Sequence, residues 1–187
     1  MKTILAFCTL CLLAAGCDDS GSVPPLSGSD YLPLEIGNYW KVDDDNYVEV
    51  TGTEQLNGQT FFVLRSRNKT AVEPSLREYD LYFRIDGQEN LIQGFKISTH
   101  SRIVANFALK KGQKADAPAN PTVTDKDADR ITFRYDNLLV SSSPPNYMYA
   151  TFLKGKGFEA KNFMLTRYSA LVDKFTEIKI GGNVYKL

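Results

Sequence analysis

The chain has 187 residues with 22 basic and 22 acidic side chains, and so carries no formal net charge. No run of lysine or arginine interrupts that balance, which argues against nucleic acid as a partner and against a polybasic membrane patch. One histidine excludes histidine-rich metal ligation, and 43% hydrophobic content is enough to build an apolar core.

At the amino end, Lys2 is followed by an uncharged stretch from Ile4 to Ala15 and then by Gly16, Cys17 and two aspartates, Asp18 and Asp19. A charged start, an apolar middle and a small-residue exit describe a secretory signal. The apolar stretch falls short of the roughly 20 residues that a membrane-spanning helix needs, so cleavage and export are expected. The exit resembles a bacterial lipobox, with Ala14, Ala15 and Gly16 ahead of Cys17; Ala14 stands where leucine is most frequent. The resemblance implies a thioether-linked diacylglycerol on the Cys17 sulfur and a further acyl chain on its amino group, with Cys17 as the first mature residue. Each buried methylene contributes about 0.8 kcal/mol, so several acyl chains together hold a protein at a membrane. Ordinary secretory cleavage near Ala15 or Gly16 would instead leave a free, reactive thiol in an oxidising compartment. The expected address is a bacterial envelope, with the outer membrane favoured and the face open. Acidic residues directly after the cysteine resemble an inner-membrane retention signal in enterobacterial lipoproteins and a surface-export signal in those of Bacteroidota.

Cys8 and Cys11 lie inside residues 1–16, the part removed. The mature chain then has no intramolecular disulfide and no cysteine cluster for zinc or an iron–sulfur centre, and no cofactor is expected beyond the acyl groups. Residues 17–29, CDDSGSVPPLSGS, are poor in apolar side chains and read as a tether reaching about 40 Å at roughly 3.3 Å per residue. Residues 30–187 show no repeat and no second shift in composition, which predicts a single domain.

That domain reads as all-β, an antiparallel meander forming an open or closed barrel-like sheet. In REYDLYFRI, Tyr79, Leu81, Phe83 and Ile85 alternate with Glu78, Asp80, Tyr82 and Arg84; in RITFRYD, Ile131, Phe133 and Tyr135 alternate with Arg130, Thr132, Arg134 and Asp136. This period of two is that of half-buried strands. Asn57-Gly58, Asp86-Gly87 and Gly181-Gly182-Asn183 supply turn chemistry between such runs. One short helix is an option over Leu165 to Lys174. Lys110 to Asp127 and Ser141 to Asn146 read as long irregular stretches.

The segment YLPLEIGNYWKV, with Pro33, Leu34, Gly37, Asn38 and Trp40, resembles the opening of a group of uncharacterised secreted lipoproteins of Bacteroidota. The stretches VTGTEQLNGQTFFVL and FLKGKGFEAKNF resemble further parts of the same group. The likeness implies a β-rich fold and supplies no activity. Gly37-Asn38 is expected to turn the chain and set Trp40 into the end of a sheet, as a core plug rather than a ligand platform.

Catalytic chemistry has little to stand on. His100 is the only histidine; Ser98 and Ser101 are merely its neighbours, and no Gly-x-Ser-x-Gly elbow accompanies it. Asp125, Asp127 and Asp129 have the alternate spacing of half a calcium loop, with Asp136 at the twelfth position, but Arg130 stands where the sharp turn needs glycine. A solvated turn is the simpler reading, as it is for Asp43 to Asp45. Lys154 to Gly157, KGKG, lacks the remainder of a phosphate-binding loop and reads as a glycine-bearing bend. The candidate ligand-binding residues are Tyr82, on the polar face of its strand, and Tyr147 and Tyr149, on one side of theirs, because flat rings on an exposed sheet stack on sugars or lipid-like ligands; rings that cover the core or lean on neighbouring strands are the simpler reading.

The expected function is therefore a lipid-anchored, non-catalytic binding or accessory module. Its partners are membrane lipid through Cys17 and a glycan, a lipid or an envelope protein. A carrier of a lipophilic ligand, which needs a continuous apolar cavity, and a carboxylate-dependent glycoside hydrolase, which needs two facing acids, are the alternatives.

Overall fold

Alternation of apolar and polar side chains is followed strand by strand in the computed structural model, which describes residues 29–69, 71–117, 121–136, 147–162, 164–165 and 173–187. Cys17, the 1–16 leader, the tether up to residue 28 and the Ser141 to Asn146 stretch lie outside those residues. So does most of the segment where a helix was an option, residues 166–172.

An antiparallel meander runs through β1 (Tyr39–Asp43), β2 (Asn46–Leu56), β3 (Gln59–Asn68), β4 (Glu78–Ile85), β5 (Asn90–Gly94) and β6 (Arg102–Asn106). A second sheet holds β7 (Thr122–Lys126), β8 (Arg130–Asp136), β9 (Tyr147–Leu153) and β10 (Gly157–Phe158), again in meander order. β11 (Ala160–Lys161) and β12 (Asp173–Lys174) form a two-stranded ribbon. The chain then returns to the first sheet, where β13 (Glu177–Ile180) pairs with β1 and β14 (Asn183–Lys186) forms the edge. The larger sheet thus has eight strands with β14 and β6 at its edges, so it is open rather than a closed barrel. The helical turn among the described residues is the 3-10 turn Pro74–Leu76. No helix among them is long and apolar enough to cross a membrane.

The two sheets face each other across one apolar cluster. Trp40, Val48, Leu64 and Phe83 of the large sheet share it with Ile131, Phe133, Phe152 and Phe158 of the small one. Edge-to-face rings lock the layers: Trp40 meets Phe158 at 5.5 Å, and Phe107 meets Phe152 at 5.0 Å. The Tyr135 hydroxyl donates to the Val104 carbonyl at 2.6 Å, joining the sheets.

The glycine-asparagine turn anchors the start of the domain. Gly37 has φ +90° and its N–H donates to the Val50 carbonyl. The Asn38 side chain, 2% exposed, donates to the Pro33 carbonyl and accepts from the Gly181 N–H. It thereby ties the first turn to the last. Trp40 is fully buried, and its indole N–H donates to the Lys156 carbonyl at 2.6 Å, a core plug as expected. KGKG is the bend leading from β9 to β10, with Gly155 and Gly157 both at positive φ.

Two expectations need correction. The Lys110 to Asp127 stretch is not irregular to its end, because Thr122–Lys126 is β7, with Val123 fully buried and paired to Phe133. Its Thr-Val-Thr core carries the β-branched alternation that the polar residues around it obscure. Tyr82 lies on the outer face of the large sheet, as its alternation requires, yet it is only 6% exposed. Leu56, Phe61, Val63 and Ile92 form a second apolar cluster with it on that face.

Candidate functional site

The outer face of the small sheet carries two exposed aromatic residues, Tyr147 and Tyr149. Pairing of β8 with β9 sets Thr132 opposite Thr151, Arg134 opposite Tyr149 and Asp136 opposite Tyr147, while Phe133 and Ala150 turn into the core. Tyr147 is 38% and Tyr149 52% exposed. The Arg134 guanidinium lies 4.5 Å from the centre of the Tyr147 ring, a cation–π contact. Its Nε is 3.8 Å from Asp136 Oδ1, a distance too long for a hydrogen bond, and that buried nitrogen has no hydrogen-bond partner among the described residues. One rung away, the hydroxyls of Thr132 and Thr151 meet at 3.0 Å. A planar cation, two phenol rings, a carboxylate and a hydroxyl pair therefore share one face.

Tyr82 does not join them, since it belongs to the other sheet. The Lys96 ammonium sits 5.3 Å from its ring and 3.0 Å from Glu54 Oε2, and the Tyr82 hydroxyl and Glu54 together raise the Lys96 pKa. Its ring leans on neighbouring strands instead of offering a stacking platform.

The aspartates of DKDADR turn toward cations and backbone amides. Asp125 pairs with Lys111 at 3.3 Å and Arg130 at 2.9 Å, and these two hold its carboxyl below the usual carboxylate range. Asp127 Oδ1 accepts the N–H groups of Asp129 and Arg130 at 2.8 and 2.9 Å. Arg130, the residue that departs from a calcium loop, is thus the counter-ion of the cluster. Among the described residues no three metal-ligating side chains converge.

His100 sits beside a surface pocket of about 200 Å³ lined by Leu56, Asn57, Phe61, Gly94 and Ser101 among others. Its Nδ1 is 3.4 Å from Ser98 Oγ, and no carboxylate hydrogen-bonds the imidazole among the described residues. The Ser98 hydroxyl also accepts the His100 N–H at 3.1 Å, which orders the turn.

Arg134 is the member of the small-sheet face that the residue pattern did not single out. Its place on the polar side of RITFRYD was legible, but its contact with Tyr147 depends on a register across residues 137–146. No family model, no curated protein and no solved structure matches the chain.

Proposed function

We propose that the chain is a lipid-anchored bacterial envelope protein whose β-sandwich is a non-catalytic binding or accessory module. The observation that carries this reading is the uncharged run ending in Ala14-Ala15-Gly16-Cys17. The outer membrane is the favoured address, and secreted Bacteroidota-type lipoproteins are the favoured kin. Residues 29–32 already belong to the folded domain. Ser29 and Leu32 form a bridge, and the Asp30 carbonyl accepts the Gly155 N–H.

Packing favours a binding module over a carrier. The space between the sheets is filled by Trp40, Phe83, Phe133, Phe152 and Phe158, all fully buried, where an acyl chain would need an apolar cavity. The acidic cluster beside the small sheet supports it over a hydrolase, because Asp125 is committed to Lys111 and Arg130 and Asp127 to backbone amides rather than to a facing acid.

Cys17→Ser tests the anchor. The natural chain is expected in the membrane pellet and released by detergent, and the variant in the soluble fraction; unchanged partition of the variant would overturn the reading.

A further inference from the structure

We infer that the Arg134, Tyr147 and Tyr149 face of the small sheet binds a carboxylate-bearing glycan, with Arg134 gripping the carboxylate and Tyr149 stacking on the sugar ring. The inference deepens the binding-module reading and is independent of the anchor.

Three observations converge on that ligand chemistry. First, Arg134 is preorganised and unspent: it rests on Tyr147 at 4.5 Å, and its sole ion-pair contact among the described residues is the 3.8 Å approach to Asp136. A guanidinium held flat by an aromatic ring loses little side-chain entropy when its remaining N–H donors take a carboxylate, and its planar fork suits a bidentate contact. Second, Tyr149 lies directly across from Arg134 in the ladder and is 52% exposed, with no hydrogen bond to its hydroxyl among the described residues. Side chains paired this way are about 5 Å apart at Cβ, so one ligand ring can touch both. Third, the surroundings are polar rather than greasy. The Thr132 and Thr151 hydroxyls lie next along the two strands, and Asp136 offers an acceptor for sugar hydroxyls.

This combination selects against other partners. An acyl chain has no apolar trough here. A nucleic acid backbone needs several cations, and on this face Asp136 and the Asp125 that holds Arg130 supply opposing charge. A uronic acid fits because it presents an apolar C–H face, a rim of hydroxyls and one carboxylate.

The test uses the full-length chain in detergent, titrated with polygalacturonate, alginate, methyl-esterified polygalacturonate and poly-glutamate. Both uronate polymers are expected to bind, and esterification, which removes the charge and keeps the sugar, to weaken binding about tenfold. Tyr149→Ala and Arg134→Gln are each expected to weaken it about tenfold or more. Tyr149→Ala should leave the melting temperature unchanged, so it carries the test if Arg134→Gln disturbs folding. Binding of neither uronate, equal binding of the esterified polymer, equal binding of poly-glutamate, or binding that survives both substitutions would overturn the inference. Loss of the anchor at Cys17 would leave these titrations unchanged, and their failure would leave the anchor standing.

Discussion

Trp40 and Gly157 approach so closely that each dictates the other. A Cβ built on Gly157 would lie 2.6 Å from Trp40 Cζ2, and the glycine sits at φ +85°. Gly157→Ala therefore adds a clash to a left-handed backbone, and the expected loss is about 3 kcal/mol or more by urea unfolding. In a Trp40→Phe background, where the ring is smaller, the same substitution should cost less. Asp86 acts through its hydrogen bonds. Burial works against its ionisation, but the Asn90 side chain and the Asn90 and Gln88 amides donate to the carboxylate and lower its pKa. A group whose pKa is lower in the folded state stabilises above its unfolded value, near 4, and that contribution is lost as pH falls through the folded value. Asp86→Asn should reduce stability by about 1 kcal/mol at neutral pH and flatten the loss below about pH 4, as read from melting curves across that range.

Strand alternation was the most legible element-scale signal. Leu81, Phe83 and Ile85 face the core, as do Ile131, Phe133 and Tyr135. The Asn57-Gly58 turn joins β2 to β3 with both residues at positive φ, the geometry that its twist demands. What alternation left open was whether the outer face of β4 is covered. The signal lay in the neighbouring strand, where Phe61, Phe62, Val63 and Leu64 are apolar at both parities and so require cover on both faces. Part of that cover comes from the Lys96 side chain, which lies over the Tyr82 ring. Tyr82→Ser should accordingly destabilise the domain by about 2–4 kcal/mol, measured by chemical unfolding, whereas an exposed ligand ring would be neutral. Tyr147 and Tyr149 were correctly placed on one side of β9, but their meeting with Arg134 was not legible, because pairing across an intervening segment is a tertiary property.

At the scale of the molecule, nonlocal pairing is again what the residue order hides. β13 and β14 return to cover β1, so Ile178 lies opposite Trp40 and the chain ends close to where the domain starts. The tie through Asn38 and Gly181 fastens that closure. The interior is then occupied by side chains, so the binding proposed for this chain is assigned to the outside, to the face that carries Arg134, Tyr147 and Tyr149. On the proposed reading, a tether that starts at a lipidated Cys17 holds the domain at a membrane. Mass spectrometry of the native amino-terminal peptide tests it most directly. The mature chain is expected to begin at Cys17 and to carry the added mass of a diacylglycerol and an N-linked acyl group. An unmodified cysteine, or a mature chain beginning at any other residue, would contradict it.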